Sequence, residues 1–259
     1  MEKLKNIIII MVLCTFSKIS LATVLNIEHV ANSGVKISSG EKSILIDALF
    51  EPHKRFNSLN EEENTQLTLQ GADVVVATHV HSDHFGNNRV ANFLNKNPKT
   101  LFFGTPQTLT RLEGKVTPSQ LRTESLTAFE SKLFKHDGVH IEALNFPHMG
   151  SHVHAKTQNY AYLIELNGWK VLHIGDGDIN ENRIDGLKLA HKNIDVALVH
   201  DRCLVQQDCA QRMKQMNVGQ VVFVHMTDNR VKPVSAWIKE NLPSANILVT
   251  GHEKVSIRR

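Results

Sequence analysis

Three histidines and one aspartate occur within six consecutive residues, in the segment 78–84 of sequence THVHSDH. Imidazole nitrogens and carboxylate oxygens are preferred ligands of zinc and of similar divalent ions. His79 and His81 are two positions apart, so in an extended segment their side chains point to the same side. Asp83 and His84 are adjacent, and a turn can direct both toward a second point nearby. The segment therefore predicts one loop that holds two metal ions side by side.

The residues before this cluster predict the element that positions it. The apolar run 74–77 is short, rich in valine and preceded by Gly71, which is typical of a buried strand. Helical spacing of apolar residues over 88–95 predicts a helix directly after the loop, which would keep the loop rigid. A surface loop that happens to contain four polar residues would not explain this placement. The pattern therefore favours a metal site at the end of a strand.

Strand and helix patterns alternate along the rest of the chain, which predicts an α/β layer fold with helices packed on the outer face of a sheet. Asn167-Gly168 predicts a tight hairpin turn between two of the strands. Asp47 ends the third predicted strand and either caps the next loop or supports the metal ligands. The predicted strands are 24–30, 35–38, 43–47, 74–77, 100–103, 139–145, 160–166, 169–174, 194–199, 220–224, 246–250 and 254–257, and the predicted helices are 61–69, 88–95, 106–112, 184–190, 206–216 and 234–241.

Composition limits the classes of partner. The chain has 259 residues, of which 41% are hydrophobic and 21% charged, as in ordinary globular proteins. A net charge of +3 with no basic run does not indicate a nucleic-acid partner, so we expect a small-molecule substrate.

The first 22 residues predict a cleavable secretory signal peptide. Lys3 and Lys5 precede an apolar core at 7–16, and Ser20-Leu21-Ala22 ends in small residues. We expect cleavage after Ala22, a single mature domain at 23–259 in the periplasm or outside the cell, and no stable membrane insertion. An uncleaved anchor helix is disfavoured because the apolar run is shorter than the ~20 residues that a membrane span needs.

Cleavage would leave two cysteines, Cys203 and Cys209. An even number of cysteines in an exported domain predicts a disulfide bond. Metal ligation or free thiols are the alternatives, and they are disfavoured because no other cysteine or paired histidine motif flanks this pair.

Thr78, His79, His81, Asp83 and His84 match the THxHxDH signature of the metallo-β-lactamase superfamily without a gap, so the chain resembles that family. The resemblance covers essentially the whole mature chain. It implies an αββα sandwich of four layers, with the metals at one edge between the sheets.

The resemblance also implies the remaining ligands. Three histidines follow the strand 139–145, and the resemblance assigns His148, at the strand end, to the first ion. Asp176, in a glycine-flanked turn after the strand 169–174, would bridge both ions, with Asp178 as the nearest competitor, and His225 would complete the second site. One ion would then be held by His79, His81 and His148 and the other by Asp83, His84 and His225, with Asp83 and Asp176 as the catalytic carboxylates. Residues expected to contact substrate or to support the ligands are His152, His154, His173, His200 and Asp201.

Two adjacent metal sites built from histidine and aspartate, each with an open coordination position, are typical of catalytic rather than structural metal centres. A water between two such ions would have its pKa lowered to about 7, which would provide a hydroxide nucleophile. We expect zinc, with manganese or iron as alternatives. The bridging aspartate is typical of lactonase, phosphodiesterase, thioesterase and phospholipase branches, and the chain looks most like the branch that contains L-ascorbate-6-phosphate lactonase and N-acylphosphatidylethanolamine phospholipase D.

The function indicated is therefore an exported metallo-hydrolase that cleaves an ester, lactone or phosphodiester bond. One alternative is a β-lactamase that acts on β-lactam amides. A non-catalytic periplasmic metal-binding protein is the other alternative; it would explain the fifteen histidines but not the interleaved aspartates at strand ends.

Overall fold

The computed structural model describes residues 23–205 and 208–259, so the predicted signal peptide lies outside the described residues. Two mixed β-sheets of seven strands each form the centre of this part of the chain. The first sheet, in spatial order, contains β14 (Lys254–Arg258), β1 (Val24–Ala31), β2 (Gly34–Ser39), β3 (Lys42–Ile46), β4 (Val74–Val76), β5 (Leu101–Phe103) and β6 (Leu121–Arg122). The second contains β13 (Asn246–Ile247), β12 (Gln220–Val224), β11 (Val196–His200), β10 (Trp169–His173), β9 (Tyr160–Leu166), β8 (Val139–Asn145) and β7 (Ser131–His136).

Helices cover the outer faces of both sheets. They are α1 (Glu61–Gln70), α2 (Asn87–Lys96), α3 (Pro106–Thr110), α4 (Ser151–His154), α5 (Glu181–Gly186), α6 (Cys209–Gln215) and α7 (Asp228–Asn241), with short 3₁₀ helices at Pro118–Gln120, Leu189–His191 and Asp201–Val205. Within the residues described, none of these helices combines the length and the apolar character that a membrane crossing requires.

Three apolar clusters hold the layers together. The central one joins the inner faces of the two sheets and includes Ile27 of β1 and Ile164 of β9. A second packs α2, through Phe93, on the outer face of the first sheet. A third packs α5 to α7 on the outer face of the second sheet, through residues such as Ile184 and Ile238. This arrangement confirms the predicted αββα sandwich.

The loops with the ligand-type residues leave strands that run parallel in their sheets. β3, β4 and β5 are parallel neighbours, as are β10, β11 and β12, so their carboxyl ends meet at one edge of each sheet. Backbone bonds tie the two edges to each other: the Tyr160 amide donates to the Thr78 carbonyl (3.0 Å), and the His225 amide donates to the Asn32 carbonyl (3.0 Å). The sandwich therefore brings distant segments to one place.

Most predicted elements are present with shifted ends, but one predicted helix is divided, and β6, β7 and α4 were not predicted. β7 was not predicted, because its sequence SKLFKH lies at a sheet edge with most side chains exposed and shows no buried alternation. The predicted helix 184–190 is wrong as one element. α5 ends at Gly186, and Lys188 adopts a left-handed conformation (φ +53°) before the separate 3₁₀ helix.

The predicted disulfide is confirmed, since Cys203 and Cys209 are bonded. The bond joins the 3₁₀ helix that follows β11 to the first residue of α6. It therefore closes the loop 203–209, which follows His200 and Asp201 at the end of β11.

Candidate metal centre

Ligand-type atoms from five separate segments converge at the edge between the sheets. They form three groups, and within each group the ligand atoms lie within 4.8 Å of one another. All seven residues predicted as ligands belong to these groups, whereas Asp178 belongs to none of the groups found among the described residues. The groups are His79, His81, His148 and Asp176; Asp83, His84 and His225; and Asp176, His200 and His225.

Asp176 faces both predicted sites with different oxygens. Its Oδ2 lies 3.5 Å from His148 Nε2 on the first side. Its Oδ1 lies 3.2 Å from His84 Nε2 and 3.6 Å from His225 Nε2 on the second side. On that second side His225 Nε2 also lies 3.2 Å from Asp83 Oδ2. A carboxylate in this position has the arrangement that bridging two ions requires.

Three atoms at the centre of the cluster indicate that it fits cations. His84 Nε2, His148 Nε2 and Asp176 Oδ1 are buried and form no hydrogen bond, and the imidazole nitrogens face Asp176 only as ion pairs at 3.2 to 3.5 Å. Leaving a buried polar atom without a partner costs roughly 1–3 kcal/mol, and native proteins contain few such atoms. Divalent ions at this point would give all three a partner, and the donor set of imidazoles and carboxylates matches zinc and related metals.

Asp47 orients one of these histidines. Its Oδ1 accepts the Thr78 amide (2.7 Å), and its Oδ2 accepts the Thr78 hydroxyl (2.6 Å) and lies 2.8 Å from His84 Nδ1. A carboxylate on Nδ1 holds a proton there, so Nε2 is the nitrogen that gives up its proton and offers a lone pair when a metal binds. Asp47 therefore supports a ligand, the second of the two roles that the sequence left open.

The imidazoles of His79 and His148 are oriented in the same way. The Thr78 hydroxyl donates to Asp47, so its oxygen accepts a bond from His79 Nδ1 (3.1 Å). His148 Nδ1 donates to the Met149 carbonyl (2.6 Å). Both contacts leave Nε2 directed at the cluster, as metal ligation requires.

Two asparagines that the sequence did not single out fix the remaining groups. Asn32 Nδ2 donates to the backbone carbonyl of Asp83 (3.1 Å), and the Asn32 carbonyl accepts the His225 amide. Asn159 Oδ1 accepts the Asp176 amide (3.2 Å), while its Nδ2 donates to backbone carbonyls at the ends of β8 and β10. Asn32 is 51 residues from Asp83, so no local pattern could have revealed this contact.

Gly175 allows a close approach of the backbone in the glycine-flanked turn that carries Asp176. Its φ is +55°, and a Cβ there would lie 2.5 Å from Thr78 Oγ1 and 2.7 Å from Asn159 Oδ1. Only glycine fits both the conformation and the space.

Burial and neighbouring charges set the protonation of the cluster before any ion binds. Burial lowers the pKa of His79 and His81, which keeps these rings neutral and ready to donate a lone pair. Burial also opposes charge on His84, but the carboxylates of Asp176 and Asp47 outweigh it and raise the His84 pKa well above its usual value. Conversely, the surrounding imidazoles hold the pKa of Asp176 well below its usual value, although burial acts in the opposite direction.

The other predicted residues divide between the site and its surroundings. His200 lies inside the cluster: its Nε2 is 3.6 Å from Asp176 Oδ1, and Asp201 Oδ1 is 2.8 Å from its Nδ1. His154 packs on the rings of His148 and His81 at centroid distances of 4.3 and 4.9 Å. His173 is buried, and its ring bonds to the Ser33 carbonyl (3.1 Å) and accepts the Gly175 amide (3.0 Å) next to Asp176. The side chain of His152 is exposed on α4.

A cavity of about 740 Å³ opens over the donors. Its walls include Phe56, Met149, Val153, Arg202 and Arg230, and its floor includes the cluster residues His81, Asp83, His148, Asp176, His200 and His225. Phe56 lies in the loop between β3 and α1, and its ring is 5.1 Å from that of His225. A small molecule could therefore reach ions held by these donors.

Comparison with known proteins identifies the family and the fold. Residues 42–230, more than half of the chain, match the family model described as the beta-lactamase superfamily domain. Igni18, a metallo hydrolase from the archaeon Ignicoccus hospitalis, has a similar fold (TM-score 0.64, 17% identity, 91% of this chain and 99% of that one). So does the metallo-beta-lactamase fold protein YhfI from Bacillus subtilis (TM-score 0.64, 12% identity, 91% and 100%).

CmlA, a diiron beta-hydroxylase from Streptomyces venezuelae, is similar over 92% of this chain and 54% of its own (TM-score 0.59, 13% identity). No curated protein sequence matches the chain. At these identities the structural similarities concern the fold.

Proposed function

The chain belongs to the β-lactamase superfamily, and from that premise we propose that it is an exported hydrolase that uses two divalent metal ions to cleave an ester, lactone or phosphodiester bond. The observation that carries the proposal is the set of buried donors without hydrogen-bond partners at the floor of an open cavity. A structural metal site is closed by its ligands, and a storage protein needs no cavity above the ions.

The donor groups suggest which residues would hold each ion. His79, His81 and His148 would hold the first, and Asp83, His84 and His225 the second, with Asp176 between them. Two bound divalent ions would supply an activated water and Lewis-acid polarisation of the scissile group.

The protein's own contribution is to orient these donors and to hold their charges. Asp47, Thr78 and the Met149 carbonyl keep protons on Nδ1 atoms, so that Nε2 atoms face the site. Asp83 and Asp176 stay ionised at neutral pH because hydrogen bonds and charges from the surrounding imidazoles lower the pKa of each, against the effect of burial. His79 and His84 are buried and exclude solvent from beneath the site.

We propose zinc as the metal, because the site is mostly histidine. Iron is the main alternative, since the fold also occurs in CmlA, a diiron enzyme, and manganese is a further one. Reconstitution of the chelator-treated protein with each metal, followed by an activity assay, would identify the active form.

The experiment that tests the metal centre is elemental analysis of protein purified in metal-replete buffer. We expect about two ions per chain in the wild type and about one in His225→Ala. His191→Ala, an exposed histidine outside the donor groups, should keep two ions and full activity. A folded wild-type protein with fewer than one ion per chain would refute the proposal.

The bond that is cleaved requires a substrate screen. Bis-p-nitrophenyl phosphate, a lactone panel, p-nitrophenyl esters and nitrocefin separate phosphodiesterase, lactonase, esterase and β-lactamase activities. We expect turnover in at least one of the first three classes and none with nitrocefin, and no turnover in any class would count against the proposed function. Loss of that turnover in His81→Ala would tie it to the metal centre, and efficient nitrocefin hydrolysis would favour the β-lactamase alternative.

Export is proposed from residues 1–22 and is supported by the disulfide, because such bonds persist in oxidising compartments. N-terminal sequencing of protein recovered from the periplasm or medium should begin at Thr23. Protein retained in the cytoplasm with an intact N-terminus would contradict export without affecting the hydrolase proposal.

A further inference from the structure

The cavity above the donors differs in chemistry from one side to the other. On the His81–His148 side, His154 of α4 packs on both of these rings, and Val153, its neighbour in α4, lines the cavity. Val153 is 83% exposed, and Met149, which precedes it closely in the sequence, also lines the cavity. A large aliphatic side chain gains nothing from exposure to water, so this side offers an apolar contact surface to a bound molecule.

The opposite side carries two arginines. Arg230 Nε donates to Asp201 Oδ2 (2.8 Å), and Asp201 Oδ1 lies 2.8 Å from His200 Nδ1. The His200 ring in turn stacks on that of His225 at 4.0 Å. This chain of contacts holds Arg230 beside the second donor group and leaves its terminal nitrogens outside the bond to Asp201.

Arg202 adds a second guanidinium on the same side. It follows Asp201 in the chain, lines the cavity and is exposed, and it forms no ion pair within residues 23–205 and 208–259. The guanidinium fork matches the oxygens of carboxylates and phosphates. With divalent ions at Asp83 and Asp176 the cavity would carry a net positive charge, which favours an anion further.

We propose that this enzyme acts on amphiphilic organic anions. A carboxylate or phosphate oxyanion of the substrate would bind Arg202 and Arg230 on the His225 side, and an apolar group would lie against Met149 and Val153 on the His148 side. The scissile bond would then lie between the two, over Asp83 and Asp176. The assignment of this anion as a substrate rests on the proposed hydrolase function, whereas the binding site itself does not.

Calorimetric binding of two isosteric probes to the zinc-loaded full-length mature protein tests the cationic side. The probes are 4-phenylbutyrate and its uncharged amide, 4-phenylbutyramide. We expect the wild type to bind the carboxylate about tenfold more tightly than the amide. The preference should fall to about twofold or less in Arg202→Gln and stay at tenfold in Arg111→Gln, a matched change at an exposed arginine directly after α3. An unchanged preference in Arg202→Gln would mean that the anion binds the ions alone, and would overturn the proposal.

A second variant tests the apolar side. Val153→Ser should weaken 4-phenylbutyrate binding about threefold and leave acetate binding unchanged, because only the phenylalkyl group would contact Val153. An equal effect on both ligands, or none on 4-phenylbutyrate, would refute the apolar contact. Repeating these measurements with 3-phenylpropylphosphonate distinguishes a carboxylate from a phosphate substrate. The oxyanion that the natural substrate carries should show the larger loss of affinity in Arg202→Gln.

Binding does not require turnover, so the two proposals fail separately. If arginine-dependent binding is found but no hydrolysis occurs in the substrate screen, the anion site stands and the hydrolase proposal falls. If hydrolysis occurs but the probes bind without dependence on Arg202, the hydrolase proposal stands and the substrate class proposed here is wrong.

Discussion

Asp47→Asn should weaken metal binding although Asp47 is not itself a ligand. Asparagine has nearly the same shape, and its carbonyl oxygen can still accept the Thr78 amide that Asp47 Oδ1 accepts at 2.7 Å. The amide nitrogen would replace Oδ2, which faces His84 Nδ1 at 2.8 Å. Two N–H donors would then face each other, so the His84 ring would retain a proton on Nε2 rather than on Nδ1. A protonated Nε2 cannot bind a metal.

The size of the effect follows from the contacts that change. Loss of the supporting carboxylate typically lowers metal affinity 10- to 100-fold, which corresponds to about 1.4–2.7 kcal/mol. The Thr78 hydroxyl can reverse and accept from the new amide, so the cost to folding is that of one misdirected buried hydrogen bond, about 1–3 kcal/mol. The variant should therefore fold and fail mainly in metal retention.

A competition titration of zinc against a fluorescent chelator, together with urea unfolding of the metal-free protein, separates the two effects. Asp73→Asn is the matched control. Asp73 Oδ2 accepts the Ser43 amide (2.8 Å) and its Oδ1 pairs with Lys42 (3.1 Å), away from the metal centre. This control should lose stability without losing zinc affinity. A folded Asp47→Asn protein that binds zinc as tightly as the wild type would refute the assigned role.

Three other perturbations give direct readouts. Gly175→Ala should destabilise the protein by about 2 kcal/mol more than Gly114→Ala in thermal unfolding, because both positions have positive φ but only the first would clash; equal losses would contradict this. Replacing Cys203 and Cys209 together by serine should cost about 2 kcal/mol in urea unfolding, and no change would show that the disulfide does not stabilise the fold. Zinc loading at pH 7 should release about one proton per chain, because the raised pKa of His84 keeps that ring protonated in the metal-free protein. For the same reason, zinc affinity should fall as the pH is lowered below that pKa. Calorimetry in buffers of different ionisation enthalpy measures the release, and no release would contradict the raised pKa of His84.

The part of the site that could be predicted from sequence is the part that is contiguous. His79, His81, Asp83 and His84 occur in one short loop, and their types and spacing are sufficient to indicate metals. The other donors come from segments 60 to 140 residues later in the chain, and residue types alone left three histidines open after β8. Family resemblance resolved that choice, and the structure brings the residues it indicated to the same point.

The supporting contacts could not be predicted, because each depends on where two distant loops meet. Asn32 reads as an ordinary turn residue, and its contact with Asp83 exists only because the β1–β2 turn meets the loop after β4. His200 had a strand-end position like that of His225, but nothing in the sequence showed that their rings stack. The fold itself was more accessible, since buried strands have apolar runs; β7 was missed because most of its side chains are exposed.

The backbone by itself holds the donor-bearing loops in place. The Met149 amide donates to the Asp176 carbonyl (2.8 Å), which joins the loops that carry His148 and Asp176. The bonds from Tyr160 to Thr78 and from His225 to Asn32 join the two sheets at the same edge. None of these bonds involves a ligand atom, so backbone and core contacts hold the loops at this edge. Four layers of packed core therefore keep imidazoles and carboxylates together although burial opposes charge on His84 and Asp176.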